Sequence, residues 1–339
     1  MRLRLATVLA LLLAIGNAPS LFAVADSTCS ARSGPGIEWL RVSPLSERAS
    51  LDRWCAGVGP PARISGERPV EEITRSFAVV AWNTHVGTGD IEKFVGDLRS
   101  GRLTGAPVTT FVLLLQEAFR AGPEVPMSRD ARWAGAELRP GPHGVRLDVT
   151  VAARRLGLSL VYVPSMRNGA PGVTSEDRGN AVLSTQPIHD VTAIELPLER
   201  QRRVAILAAI PLKTDVGTST TVRVVSTHFT NMVGHHLWLL SEFGRLRQAR
   251  ALSKVLPTEG ALVIGGDFNA WFGRFDAAYR QLARYARRAQ TEDRRPTFGP
   301  MRLDHLLFRL PDGWKTTTRR ANQKYGSDHY PLVATVTLP

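Results

Sequence analysis

Ala261-Leu262-Val263-Ile264-Gly265-Gly266-Asp267-Phe268-Asn269 decides how the rest of the chain is read. An apolar run with β-branched residues at its end, closed by two glycines, is the pattern of a buried strand that stops abruptly. Side chains two apart on a strand share a face, so Asp267 and Asn269 leave that strand end on the same side. A carboxylate able to hold a hard cation or orient a water, next to a carboxamide able to hold a phosphate oxygen, is the start of a metal-assisted phosphoryl-transfer site.

The pattern recurs. Phe77 to Ala81 leads into Trp82-Asn83-Thr84-His85, Phe111 to Leu115 into Gln116-Glu117, and Val222 to Val225 into Ser226-Thr227-His228. Ser327-Asp328-His329 precedes Tyr330-Pro331-Leu332-Val333, and Arg302-Leu303-Asp304-His305 precedes Leu306-Leu307-Phe308. A lone Asn, Glu or His at a strand end is most often a turn former or a solvated residue. Repetition in one style along one chain points instead to a single site assembled from many strand ends.

Taken in order, and together with Gly179-Asn180-Ala181-Val182-Leu183-Ser184, these clusters resemble the endonuclease/exonuclease/phosphatase superfamily of deoxyribonuclease I type nucleases, abasic-site endonucleases, sphingomyelinases and inositol polyphosphate phosphatases. The resemblance runs from about Phe77 to Leu338 and implies an α/β fold: a two-layer sandwich of two facing, mostly antiparallel sheets flanked by helices, deoxyribonuclease I-like. Alternating strand and helix signals alone are equally compatible with a doubly wound sheet.

Roles follow from chemistry and resemblance together. Glu117 is a hard oxygen ligand suited to Mg²⁺, with Mn²⁺ as the alternative, and Asn83 and Asp328 extend the same metal environment. Asp267 orients and deprotonates the water, and Asn269 holds the phosphoryl oxygen. The resemblance pairs His329 with Asp304, which fixes the imidazole tautomer and stabilises the imidazolium. It makes His228 a phosphate-contacting histidine that has its own carboxylate partner in deoxyribonuclease-like members, here Glu176 or Asp177. Arg178 stands where relatives contact phosphate, and a guanidinium grips two oxygens at once. Asn180 is either a substrate contact or a tie between strand ends. His85 shares Asn83's face by alternation, whereas His235, His236 and His305 receive no role.

Outside these motifs, Arg2 and Arg4, an apolar run from Leu5 to Ile15 and Ala23-Val24-Ala25 read as a leader peptide over residues 1–25, cleaved on export. The run is short for a bilayer span. Export agrees with the two cysteines, Cys29 and Cys55, which can pair in an oxidising compartment. They lie in residues 26–76, rich in Pro, Gly, Ser and Arg, which read as an extension tied down by that pair. Residues 77–339 form the catalytic domain. There Asp90 caps a helix with Ile91, Phe94, Val95 and Leu98 on one face. A second helix is expected over 276–289, with Phe275, Tyr279, Leu282 and Ala286 on its apolar face and Arg280, Arg284, Arg287 and Arg288 opposite.

The 339 residues carry a formal net charge of +13, which points to polyanionic partners, nucleic acid first and an anionic membrane surface second. The leading reading is therefore a secreted, monomeric, Mg²⁺-dependent phosphodiesterase of nucleic acid. A sphingomyelinase-like phospholipid phosphodiesterase is the alternative, with Trp271, Phe272 and Phe275 as membrane-touching aromatics. A binding or toxin-associated protein without turnover is the reading from another class. An inositol-phosphate 5-phosphatase is disfavoured, because Arg302-Leu303-Asp304-His305 lacks the Pro-x-Trp-Cys-Asp-Arg stretch of those enzymes.

Overall fold

The protein is described by a computed structural model over residues 29, 34, 36–67, 73–127, 144–168, 174–215, 218–231 and 241–339. Residues 1–25, expected to be a leader, and the histidines at 235 and 236 lie outside the described residues. The first half of the chain supplies β1 (Ile37–Arg41), α1 (Arg48–Ala56), β2 (Ala62–Ile64), β3 (Ser76–Asn83), α2 (Ile91–Arg99), β4 (Phe111–Ala121), α3 (Val149–Leu156), β5 (Ser159–Asn168) and β6 (Glu176–Ser184). The second half supplies β7 (His189–Glu195), β8 (Val204–Asp215), β9 (Thr218–His228), α4 (Ser241–Ser253), β10 (Ala261–Asp267), α5 (Ala277–Leu282), β11 (Thr291–Glu292), β12 (Asp304–Arg309), β13 (Lys315–Arg320) and β14 (Leu332–Thr337).

The strands form two mixed sheets, one ordered β1-β7-β8-β9-β10-β12 and the other β11-β13-β14-β3-β4-β6-β5-β2. Most neighbours are antiparallel; β3/β4 and β9/β10 are the parallel pairs at the centres of their sheets. Strand alternation explains how the layers form. Phe77, Val79 and Ala81 of β3, Val112 and Leu114 of β4, Val222 and Val224 of β9, Ala261 and Val263 of β10, and Leu306 and Phe308 of β12 share one buried core between the sheets. The intervening residues face outward, where Ala78, Val80 and Trp82 meet α2 and α3 and Leu262, Ile264 and Leu307 meet α4 and α5. Strands buried on both faces read as unbroken apolar runs, which is why they were conspicuous in the sequence. The architecture is the deoxyribonuclease I-like sandwich, with helices outside, and not a doubly wound sheet.

Residues 26–76 do more than the sequence indicated. β1 pairs in parallel with β7 at the edge of one sheet, and β2 pairs antiparallel with β5 at the edge of the other. The extension thus closes an edge on each layer. Cys29 and Cys55 form a disulfide with Cα atoms 5.6 Å apart. The backbone after α1 is anchored by Gly59 N–H on Asp177 and by Arg120 donating to the Pro60 carbonyl. Short strands whose partners lie far along the chain leave little periodicity to read.

The helix expected over 276–289 is shorter than its pattern. Asp276 caps it through the Ala278 N–H and it ends at Leu282. Arg287 then exchanges backbone hydrogen bonds with Phe308 of β12, so this segment joins the sheet edge instead of continuing the helix. Tyr279, Leu282 and Ala286 are buried as expected, but Phe275 lies before the helix in a 3-10 turn and is 66% exposed.

Candidate active site

Alternation carries the candidate site residues into the space between the sheets. Asn83 continues the inward row of Val79 and Ala81, His228 that of Val222 and Val224, Asp267 that of Ala261 and Val263, and Asp304 begins the row of Leu306 and Phe308. β3, β9 and β10 end at these residues. β12 runs antiparallel to β10, and β14 antiparallel to β3, so Asp304 and the Asp328-His329 pair enter from their own strand starts at the same end of the sandwich. Glu117 needs a further device, since alternation from Gln116 would turn it outward. The β4–β6 register shifts between Leu115 and Ala118, and Glu117 adopts a left-handed φ of 48°. It is the extra residue of a bulge, redirected toward the cleft, where its carboxylate lies 3.8 Å from Arg178.

Asp267 is the hub. Its Oδ1 accepts from the Asn269 N–H at 2.8 Å and its Oδ2 from the Asn83 amide at 3.0 Å. Nε2 of His228 is 3.4 Å and Nε2 of His329 3.9 Å from the same Oδ2. Burial, then the neighbouring Asp304, raises its pKa to about 6. A carboxylate poised there can take a proton from water near neutral pH.

Nδ1 of His329 is 2.7 Å from Oδ2 of the fully buried Asp304. Burial works against the imidazolium, but Asp304, Asp267 and Asp328 overcome it and raise the His329 pKa to about 10. Surrounding contacts fix the geometry. Thr297 Oγ1 receives the N–H groups of Leu303 and Asp304, Ser327 Oγ receives the His329 N–H, and Trp82 Nε1 donates to the His329 carbonyl. The Phe298 ring lies 4.8 Å from the imidazole.

His228 departs from the carboxylate-partnered arrangement. Asp177 is held by Arg120, Tyr162 and Gly59, and Glu176 by Arg146 and Asn168. The residue at Nδ1 of His228 is Arg203, 3.1 Å away and itself buried. Sequence reading missed Arg203 because nothing about an arginine ahead of a strand separates it from surface arginines. Asn180 directs its amide to the carbonyls of Val204 and Ser226, tying the two sheets together. Arg178 stands beside Glu117, with Nη2 on the Met166 sulfur at 3.3 Å.

His85 reaches the site, but not by alternation, since β3 ends at Asn83. A left-handed φ of 47° turns the chain, its N–H donates to Asn83 Oδ1, and Nε2 comes within 3.8 Å of Asp328. His305 faces the opposite side of β12 from Asp304, between the rings of Phe268 and Tyr279, and burial lowers its pKa to about 3.

Among the described residues, Asp267, Asp304 and His329 place metal-ligating atoms within 4.8 Å of one another. His329 is held there as a cation, so this cluster reads as proton-handling machinery and not as a cation cage. Oxygen donors such as those of Glu117, Asp328 and Asn83 are the chemistry that a hard divalent ion takes. Asp328 Oδ1 is buried without a hydrogen-bond partner among the described residues, an oxygen left for such a ligand.

A family model described as the Endonuclease/Exonuclease/phosphatase family matches residues 80–329. Comparison with curated proteins gives no match. Among solved structures, an endonuclease/exonuclease/phosphatase from Beutenbergia cavernae DSM 12333 is similar at a TM-score of 0.56 and 18% identity, over 78% of this chain and 72% of that one. A family protein from Leptotrichia buccalis C-1013-b has a TM-score of 0.50 and 14% identity, over 78% and 99%. Beta toxin from Staphylococcus aureus, with bound magnesium ions, has a TM-score of 0.43 and 12% identity, over 78% and 100%.

Proposed function

Because the chain belongs to the endonuclease/exonuclease/phosphatase family, whose members are metal-dependent phosphoesterases, we propose that it is an exported, monomeric phosphodiesterase that cleaves nucleic acid with Mg²⁺ or Mn²⁺. The observation that carries this is the meeting of Asn83 and His228 on Asp267 with the Asp304–His329 pair at one end of the sandwich. Asp267, ionised, takes the proton of the attacking water. Asn269 spends one amide proton on the Phe229 carbonyl and keeps the other for a phosphoryl oxygen. The His329 imidazolium presents Nε2–H to the phosphate and the leaving oxygen. Glu117, Asp328 and Asn83 would hold the cation, which when bound neutralises charge on the non-bridging oxygens.

Nucleic acid is favoured over lipid by the wall of the site. Tyr330 beside His329 carries Arg320 at 3.9 Å and Lys324 at 5.1 Å over its ring, whereas Arg294 and Arg302 lie with His305 on the far face of β12 and Arg295 is held by Asp293. Guanidinium and ammonium groups along a cleft track a phosphate backbone and make binding fall with salt. A specific observation keeps phospholipid as the second reading: Phe272 and Phe275, shortly after Asn269, are 42% and 66% exposed. No helix among the described residues is long and apolar enough to cross a membrane.

The deciding experiment is a Mg²⁺-dependent turnover panel on plasmid DNA, RNA, sphingomyelin vesicles and a soluble phosphodiester. Cleavage of polynucleotide that weakens steeply with salt is expected. Preference for vesicles would overturn the nucleic-acid assignment, and no turnover on any substrate would favour a binding or toxin-associated protein.

A further inference from the structure

We propose that Arg203 is a positioning residue that locks His228 as an uncharged hydrogen-bond donor, with the proton on Nε2, inside the site; its catalytic importance rests on the phosphodiesterase reading, whereas the tautomer does not.

The argument starts from what each group can do. A guanidinium carries five N–H donors, has no acceptor, and does not lose its proton in proteins. Arg203 Nη1 and His228 Nδ1 lie 3.1 Å apart, and the two residues are 3% exposed. The hydrogen bond available to that pair runs from arginine to imidazole, so Nδ1 must offer its lone pair. An imidazole that accepts at Nδ1 carries its single proton on Nε2, and Nε2 is the atom 3.4 Å from Asp267.

Protonating Nδ1 as well would set N–H against N–H. It would also place a second cation against Arg203, with Arg178 on β6 and His329 ahead of β14 adding to the repulsion, while Asp267 on β10 is the carboxylate facing the ring. Burial and these cations hold the His228 pKa well below its ordinary value. Placement of Arg203 is firm, because its carbonyl receives the Leu196 N–H at 3.0 Å just before β8 begins. The β8–β9 ladder, with Ala205 opposite Thr227, brings that strand start alongside His228.

The two histidines are therefore set to opposite states by opposite partners. Asp304 makes His329 a cation that can give up a proton. Arg203 makes His228 a neutral donor whose Nε2 lies 3.4 Å from Asp267 and meets a phosphoryl oxygen when substrate is bound, without a proton transfer of its own.

The test is nuclear magnetic resonance of the full chain labelled with ¹⁵N-histidine, using long-range ¹H–¹⁵N correlation, with His228 assigned from its absence in His228→Gln. The expected spectrum shows an unprotonated Nδ1 and a protonated Nε2, unchanged from about pH 5 to about pH 8. Arg203→Met should release the tautomer, so that Nδ1 is no longer held unprotonated, with kcat on a soluble phosphodiester falling about 10²-fold and KM changing far less. Arg203→Gln keeps an N–H donor and should retain the tautomer and recover most of kcat. A wild-type spectrum with Nδ1 protonated overturns the proposal, as does an unchanged tautomer in Arg203→Met. Arg203→Gln that is folded and keeps the tautomer, yet is as inactive as Arg203→Met, reduces Arg203 to packing. Absence of turnover in the wild type removes the catalytic half along with the reading it rests on, and the spectrum still decides the tautomer.

Discussion

At the scale of single residues, the Asp304–His329 pair makes the sharpest demand. Asp304→Asn keeps the shape of the carboxylate and removes the charge that raises the His329 pKa to about 10, so the imidazolium should be lost near neutral pH. Turnover should fall strongly, by about 10²-fold or more, and His329→Ala should be comparably damaging. Both changes break one unit, so the double variant should be only slightly worse than either single one. Multiplicative losses in folded variants would show that the two residues act independently. The pH profile follows with its signs. Asp267 must be ionised, so kcat/KM should fall as pH drops through about 6. His329 must be protonated, so the alkaline limb should stand near 10 and move down in Asp304→Asn. A profile whose alkaline limb ignores that substitution would refute the pairing. The same shift bears on stability, because a histidine whose folded pKa lies above its unfolded one contributes fully below about 6.5 and loses that contribution as pH rises through about 10.

At the scale of elements, the positions of the catalytic groups depend on how closely β10 lies to its neighbours. Gly266 has a φ of +145°, and a Cβ there would sit 1.9 Å from the Thr227 carbonyl oxygen of β9. Gly266→Ala should push β10 off β9, lower stability by more than about 2 kcal/mol, and separate Asp267 from His228. A variant with wild-type melting and turnover would contradict this. The extension is the second element on which the sandwich depends, since β1 and β2 each close a sheet edge and the Cys29–Cys55 disulfide pins the chain before them. Closing a loop of that size is worth about 3 kcal/mol, so Cys55→Ser or a reductant should lower Tm by several degrees. An unchanged Tm under full reduction would remove the disulfide from the stability of the domain.

At the scale of the whole molecule, the two sheets bring Asn83, His228, Asp267, Asp304 and His329 to one end, and the cation site proposed for Glu117, Asp328 and Asn83 can be tested without relying on turnover. Mg²⁺ should raise Tm of the wild type, and Glu117→Gln, which removes one charge and a hard ligand at constant shape, should abolish that rise while melting normally in chelator. An undiminished rise would place the ion elsewhere. The sequence by itself determined the strand runs, the inward rows that end at Asn83, His228 and Asp267, and the family whose order of motifs they follow, because burial on both faces leaves unbroken apolar runs and alternation is a local property of the backbone. It also placed the capped helix behind Asp90, whose side chain accepts from the Lys93 N–H. Only the tertiary structure decided the rest: the edge strands contributed by the extension, the bulge that turns Glu117 inward, the early end of the helix at Leu282, the use of the Asn180 amide as a tie between sheets, and Arg203 in place of a carboxylate at His228. Each of these depends on partners far away in sequence, such as Val191 against Ile37 or Phe308 against Arg287. A hydrogen bond made across the fold leaves no periodic mark on the residues that make it.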